Sequence, residues 1–252
     1  MTVRLDRQGR TLVITLDRPE VRNALDVPTS LAVAAALDEL DDDDTLTVGI
    51  LTGAGGSFSA GMDLKAFLAT GERPEVPGRG LAGLTRTPPL KPLIAAVEGF
   101  ALAGGFEMVL ACDLVVAARD ATFGLPEVKR GLIAGSGGLL RLPHCVPVAV
   151  AMEHALTGDP LTSVDAHRWG LVNQLTEPGG ALAGALALAA RVASNGPLAV
   201  RVSKQVVNGA SAWSPDQAWA RQDELLELVL ASDDARDGAA AFVAKRPPVW
   251  QT

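Results

Sequence analysis

The segment Ala103-Gly-Gly-Phe-Glu107 offers the chain's clearest opportunity for chemistry. The apolar run Leu93 to Val97 reads as a strand, and an apolar helix begins near Gly104. Glycines at a helix start let a ligand reach free backbone N–H groups, and the helix dipole favours negative charge there. Such donors can hold an oxyanion that develops during a reaction. Close helix–strand packing explains the same two glycines equally well. Glu107, three residues into the helix, is flanked by Phe106, Met108, Val109 and Leu110. An ionised carboxylate among such neighbours is costly unless paired or put to use. Burial would raise its pKa and the helix start would lower it, a balance suited to proton transfer. A structural arginine partner is the alternative, and the functional reading is preferred.

A second loop-to-helix junction of the same kind is Phe58-Ser-Ala-Gly-Met-Asp-Leu64. Asp63 is placed to cap a helix, and Gly61 permits a sharp turn that leaves the N–H of Met62 pointing outward. Two such junctions suit two donors on one oxygen; an ordinary turn and cap is the alternative. Glu127, in Leu125-Pro-Glu-Val128, is uninformative alone, since Lys129 or Arg130 could pair with it. It gains meaning if the fold returns it to Glu107, because two carboxylates around one water divide the acid and base roles. Three lookalikes fail. Gly53-Ala-Gly-Gly-Ser-Phe58 lacks the last small residue of a dinucleotide fingerprint, Gly135-Ser-Gly137 is no nucleophile elbow, and no phosphate loop ends in Gly-Lys-Ser/Thr.

The elements that must position these groups alternate. Thr11 to Leu16, Leu46 to Leu51, Leu93 to Val97 and Leu114 to Ala117 read as strands, and Leu171 to Leu175 as a short one. A helix with Pro28 in its first turn runs to Leu40, and the run Asp41 to Asp44 opposes its dipole and ends it in a solvated loop. Gly71 to Gly80 reads as a mobile loop. Thr162 to Asp165 resembles a helix-start capping box. From Ala181 the pattern is helical, broken at Gly196-Pro197 and Ser214-Pro215. The 252 residues, 48% hydrophobic and 20% charged, suit one α/β domain or a core with a helical appendage. A net charge of −7 offers nothing to nucleic acid or an anionic membrane. The 2 cysteines and 3 histidines have no metal-like spacing, and no signal peptide or membrane span is legible, so a reduced cytoplasmic setting is expected.

Taken in order, these segments resemble the crotonase superfamily (enoyl-CoA hydratase/isomerase family) over nearly the whole chain. The resemblance is carried by Asp17-Arg-Pro19 with Asn23-Ala-Leu25, Phe58 to Leu64, Ala103 to Glu107 with Ala111-Cys-Asp113, Phe123 to Glu127, Gly131 to Gly138, Leu156-Thr-Gly158, Gly170-Leu-Val172 and Ala241 to Lys245. It implies an α/β spiral of ββα units over residues 1–195. A C-terminal helical region, 196–252, would build a homotrimer or homohexamer and part of the acyl pocket. It places oxyanion donors at the N–H groups of Met62 and Gly104, and matches Glu107 and Glu127 to the two catalytic glutamates of hydratases. Glu107 would activate water for attack at Cβ, and Glu127 would supply the proton at Cα.

The substrate implied is an acyl-CoA thioester whose CoA part meets Val21, Arg22, Ala60 and, from a neighbouring subunit, Lys245. Coenzyme A belongs to that substrate, and no separate cofactor or metal is implied. Relatives with one glutamate or neither run other chemistry, so isomerisation by Glu127 alone and an idle acyl-CoA-binding subunit are alternatives. An NAD-dependent oxidoreductase is disfavoured by the failed fingerprint. One departure stands out: where short-chain hydratases carry Gly-Gly-Thr-Gln-Arg-Leu, this chain has Gly137-Gly-Leu-Leu-Arg-Leu142. That variant resembles carnitinyl-CoA dehydratase and related bacterial members.

Overall fold

The computed structural model describes residues 2–251. In chain order the first half contains β1 (Val3–Gln8), β2 (Thr11–Leu16), α1 (Val27–Asp42), β3 (Val48–Gly53), α2 (Leu64–Thr70), β4 (Glu75–Val76), β5 (Gly80–Leu81), β6 (Leu93–Val97), β7 (Phe100–Leu102) and α3 (Gly104–Leu110). Then follow β8 (Leu114–Ala118), β9 (Thr122–Gly124), α4 (Gly138–Cys145), α5 (Val148–Thr157), β10 (Leu161–Thr162), α6 (Ser163–Arg168) and β11 (Gln174–Thr176). The chain closes with α7 (Ala181–Ala193), α8 (Pro197–Ala210), α9 (Pro215–Leu230) and α10 (Asp233–Ala244).

Six strands form one sheet in the order β1-β2-β3-β6-β8-β11, and β10-β9-β7 form a second. Only the β1–β2 pair of the large sheet is antiparallel; its other pairings are parallel. Parallel strands are buried on both faces, which explains the near-continuous apolar runs. Alternation still sorts the residues. Leu12, Ile14, Leu93, Ala95 and Val97 face one core with Leu37, Phe106 and Phe123, while Val13, Ile50, Ile94 and Ala96 face the other. That second core is closed by Ala181, Ala185 and Ala189, one stripe of α7 at four-residue spacing.

Several sequence expectations need correction. The strand expected at Leu46 begins at Val48, and the one expected at Leu171 spans Gln174–Thr176. The stretch Gly71 to Gly80 is not simply a loop: β4 lies within it and pairs with β5 at its end, and the buried Ser30 hydroxyl donates to Pro74 O at 2.7 Å. Nor does the aspartate run dissolve into solvent. α1 continues through Asp42, Asp41 accepts from the N–H groups of Leu90 and Lys91 at 2.8 and 3.0 Å, and Asp43 pairs with Arg7 at 2.7 Å. Tertiary partners override the dipole argument there. Thr162 does cap α6, accepting from Asp165 N at 3.1 Å.

Candidate active site

The Met62 loop is built by the segment before α1. Asn23 donates to Ala54 O and Ser57 O, both at 2.8 Å, and its own carbonyl accepts from the Ser59 hydroxyl at 2.8 Å. Ser59 Oγ in turn accepts from Gly61 N. Leu25 N donates to Gly61 O and Asp63 N donates to Leu25 O, so the chain bridges on either side of Met62. Arg18, half-buried, joins Asp26 at the start of α1 to Asp63 at the start of α2, each at 3.1 Å. Asp63 caps α2 as expected, accepting from Lys65 N and Ala66 N.

The turn into Gly104 is built differently, by strain. Ala103 adopts φ 51, ψ −127, a conformation that disfavours a side chain and costs on the order of 1–3 kcal/mol. Its N–H is held by Gly124 O at 2.9 Å, which fixes the turn between β7 and α3. The Met62 loop and this turn touch. A β-carbon on Gly61, whose φ is +87, would lie 2.9 Å from Gly104 N and 2.8 Å from the Ala103 methyl. One on Gly104 would lie 3.8 Å from Met62 N. Among the described residues neither the Met62 nor the Gly104 N–H donates a hydrogen bond within the chain.

Glu107 lies one turn below, 3% exposed, in the α3 segment where Phe106 packs on Phe123 with ring centroids 5.2 Å apart. Its partners are not an arginine but the backbone of the segment before α4: Oε1 accepts from Ser136 N at 2.7 Å and Gly138 N at 2.9 Å. Burial pushes its pKa above the usual carboxylate value; those two amides and the Arg141 charge oppose the rise, and Glu75 adds to it.

Glu127 sits on the 3-10 turn Pro126–Arg130. The neighbours that could have paired with it do not, since Lys129 reaches Asp159 at 2.7 Å. Its Oε2 is buried without a hydrogen-bond partner. Burial first, then the nearby Glu107 charge, push Glu127 up to about 7. The fold therefore brings the two glutamates into electrostatic reach of each other.

Of the residues expected to meet CoA, Arg22 and Ala60 are joined, Ala60 N donating to Arg22 O at 3.0 Å, with Val21 adjacent in the same turn. Arg22 is exposed. Lys245 forms the C-cap of α10 and is exposed; no hydrogen bond or ion pair of the described residues joins it to that group. Sequence reasoning assigned no role to the donors Ser136 and Gly138, to the clamp residues Arg18 and Asn23, or to Glu75. The Gly135-Ser-Gly-Gly run before a helix was the available signal for the first two.

A groove of about 850 Å³ near Thr52, Glu98 and Gly99 contains neither glutamate, whereas one of about 140 Å³ beside Asp63 and Phe67 adjoins the Met62 loop. Neither groove is lined by Glu107 or Glu127. Among the described residues no three His, Cys, Asp or Glu side chains are grouped to hold a metal ion, and no helix is long and apolar enough to cross a membrane.

The description of the enoyl-CoA hydratase/isomerase family matches residues 6–252. The chain belongs to that family. It is 44% identical to a carnitinyl-CoA dehydratase of Salmonella arizonae over 259 residues, covering 99% of this chain and 98% of the relative. Among solved structures, an enoyl-CoA hydratase from Mycobacterium tuberculosis H37Rv is 55% identical with a TM-score of 0.96, covering 99% of this chain and 98% of that one. A carnitinyl-CoA hydratase from Mycobacterium avium is 44% identical with a TM-score of 0.79 over the same shares. Family membership makes the chain an enzyme with the crotonase fold, as its sequence resemblance implies. The Leu139-Leu140 departure points outward, Leu140 being 76% exposed, and Gly138 and Arg141 keep their places inside.

Proposed function

We propose that the chain catalyses reversible addition of water to a trans-2-enoyl-CoA, giving a 3-hydroxyacyl-CoA. The observation that carries this reading is the pairing of Glu107, pinned and buried, with Glu127, whose Oε2 is buried and unpartnered, beside two amides with nothing else to bind. Glu107 takes a proton from water as its oxygen attacks Cβ. The electron pair displaced from the double bond reaches the thioester oxygen, where the N–H groups of Met62 and Gly104 stabilise the charge. Glu127 then delivers its proton to Cα. Dehydration is the same path reversed.

The CoA moiety lies along Val21, Arg22 and Ala60, with Lys245 supplied by a neighbouring subunit. Helices α8 to α10, which expose Trp219, Leu230, Phe242 and Val243, build a homotrimer or homohexamer. The setting is cytoplasmic. Loss of ultraviolet absorbance from crotonyl-CoA, abolished in Glu107→Gln and Glu127→Gln, tests the reaction. Thioester binding without turnover on any acyl chain would make the chain a binding subunit instead, and light scattering tests the assembly.

One observation favours a second reading of the substrate, a carnitinyl-CoA-type thioester. Glu75 pairs with Leu81 across the β4–β5 hairpin, and Leu81 packs on Gly104, so this half-buried carboxylate faces the site and raises Glu107. Among the described residues its side chain has no hydrogen bond or ion pair. A cationic acyl group would fill that role. Glu75→Gln should then raise KM for carnitinyl-CoA about tenfold and leave crotonyl-CoA unaffected; equal effects on both would remove this reading.

A further inference from the structure

Arg141 on α4 is half-buried, yet among the described residues it forms no ion pair within 4.0 Å. Its Nη2 donates instead to Thr85 O at 2.5 Å. Its Nη1 occupies the space that a β-carbon on Gly137 would need, so the guanidinium folds back over the first turn of its own helix. That turn is the one that sends Gly138 N to Glu107. On the far side, Thr85 Oγ1 accepts from Leu81 N at 3.0 Å, and Leu81 Cδ2 comes within 2.7 Å of where a Gly104 β-carbon would lie. The contacts close a ring from Glu107 through Gly138, Gly137, Arg141, Thr85 and Leu81 to Gly104, and through α3 back to Glu107.

We propose that Arg141 is a positioning residue: it ties the Ser136–Gly138 segment to the Leu81–Thr85 turn, and so fixes the Glu107 carboxylate relative to the Gly104 amide. It acts through these segments without touching reacting atoms. Desolvating a guanidinium merely to satisfy one carbonyl contributes little to stability alone. A cation here reaches the Thr85 carbonyl and lies near Glu107, and a lysine at 141 can keep both features in part. The charged groups facing Glu107 are Arg141 from α4 and Glu75 from β4, and Glu107 in turn acts on Glu127 in the 3-10 turn. Arg141 is therefore the cation that opposes burial and the Glu75 charge at Glu107.

The kinetic half of this inference rests on the hydration reading; the structural half does not. The test is a titration of the Glu107 side-chain carboxyl by carbon-13 NMR in glutamate-labelled enzyme, with Glu107→Gln to assign the signal. Arg141→Gln should move the midpoint upward by roughly one unit or more, and Arg141→Lys, which keeps the charge, should leave it close to wild type. With crotonyl-CoA, Arg141→Gln should lower kcat by about tenfold to a hundredfold with KM little changed. The acidic limb should move to higher pH with the midpoint. If Arg141→Gln does not fold, Arg141→Met, which also removes the charge and the bond to Thr85 O, should give the same upward shift. An unmoved Glu107 midpoint in whichever variant folds overturns the proposal, as does a lysine variant as displaced as the glutamine one. A wild type that fails to hydrate crotonyl-CoA would count against the reaction, and the titration would still decide Arg141.

Discussion

Glu107 stands in a buried turn of α3 with one oxygen held by two backbone amides, whereas Glu127 hangs from a 3-10 turn with an oxygen that nothing in the chain holds. Both are pushed upward by burial, yet Glu127 reaches about 7 while Glu107 is restrained by its amides and by Arg141. Two chemically identical side chains are thus separated by their surroundings, as general acid–base pairs require. Pinning Oε1 of Glu107 leaves Oε2 as the atom with freedom to act. Burial and the Glu107 charge let Glu127 hold its proton up to about neutral pH, and its Oε2 has no partner in the chain. On the proposed reaction the restrained region supplies the base, and the unsatisfied region supplies the acid.

Glu107→Gln attacks the restrained region, and should have the largest effect, lowering crotonyl-CoA hydration by roughly 10³-fold or more. Isomerisation of a 3-enoyl-CoA that stays largely intact in a Glu107 variant would point instead to an isomerase using Glu127 alone. Glu127→Gln should lower turnover by about 10²–10³-fold and should also sharpen the contrast through pH. Hydration needs the pair to carry one proton, residing on Glu127. As pH rises through about 7 that proton is lost and the rate falls, so the pH–rate profile should lose this limb in the variant.

Stability carries the same sign. The folded value of Glu127 lies above the ordinary carboxylate value, so its contribution is full below that ordinary value and is lost as pH rises to about 7. Thermal melts should show Glu127→Gln more stable than wild type by about 1–2 kcal/mol at pH 8, and unchanged at pH 4. Gly61→Ala leaves both glutamates in place and drives a methyl toward Gly104 N. It should cost about 10²-fold in kcat with a smaller change in thioester binding by calorimetry. If Gly61→Ala retains full kcat, the two amides are not the oxyanion donors.

The parts of the site visible in the sequence are those whose chemistry is local. Gly61 and Asp63 announce a turn and a cap within a few residues, and Ala103-Gly-Gly105 announces a helix start after a strand. The fold likewise shows in the apolar runs of β2, β3, β6 and β8. What stayed hidden depends on distant partners. Nothing near Glu107 in sequence says that Ser136 and Gly138 will hold it, and nothing near Glu127 says that Lys129 will turn to Asp159 instead. The aspartate run misled for the same reason, because Arg7, Leu90 and Lys91 supply partners from far along the chain.

On the proposed assembly, the bare face of the C-terminal helices ties the chain's integrity to how much of it is present. α9 buries none of its residues, while Trp219 is 72% and Phe242 85% exposed. On the proposed assembly, copies of the chain are ligands for one another, and mass action sets their stability. Diluting the enzyme should lower its melting temperature and loosen α9 and α10 while the sheet and its glutamates hold.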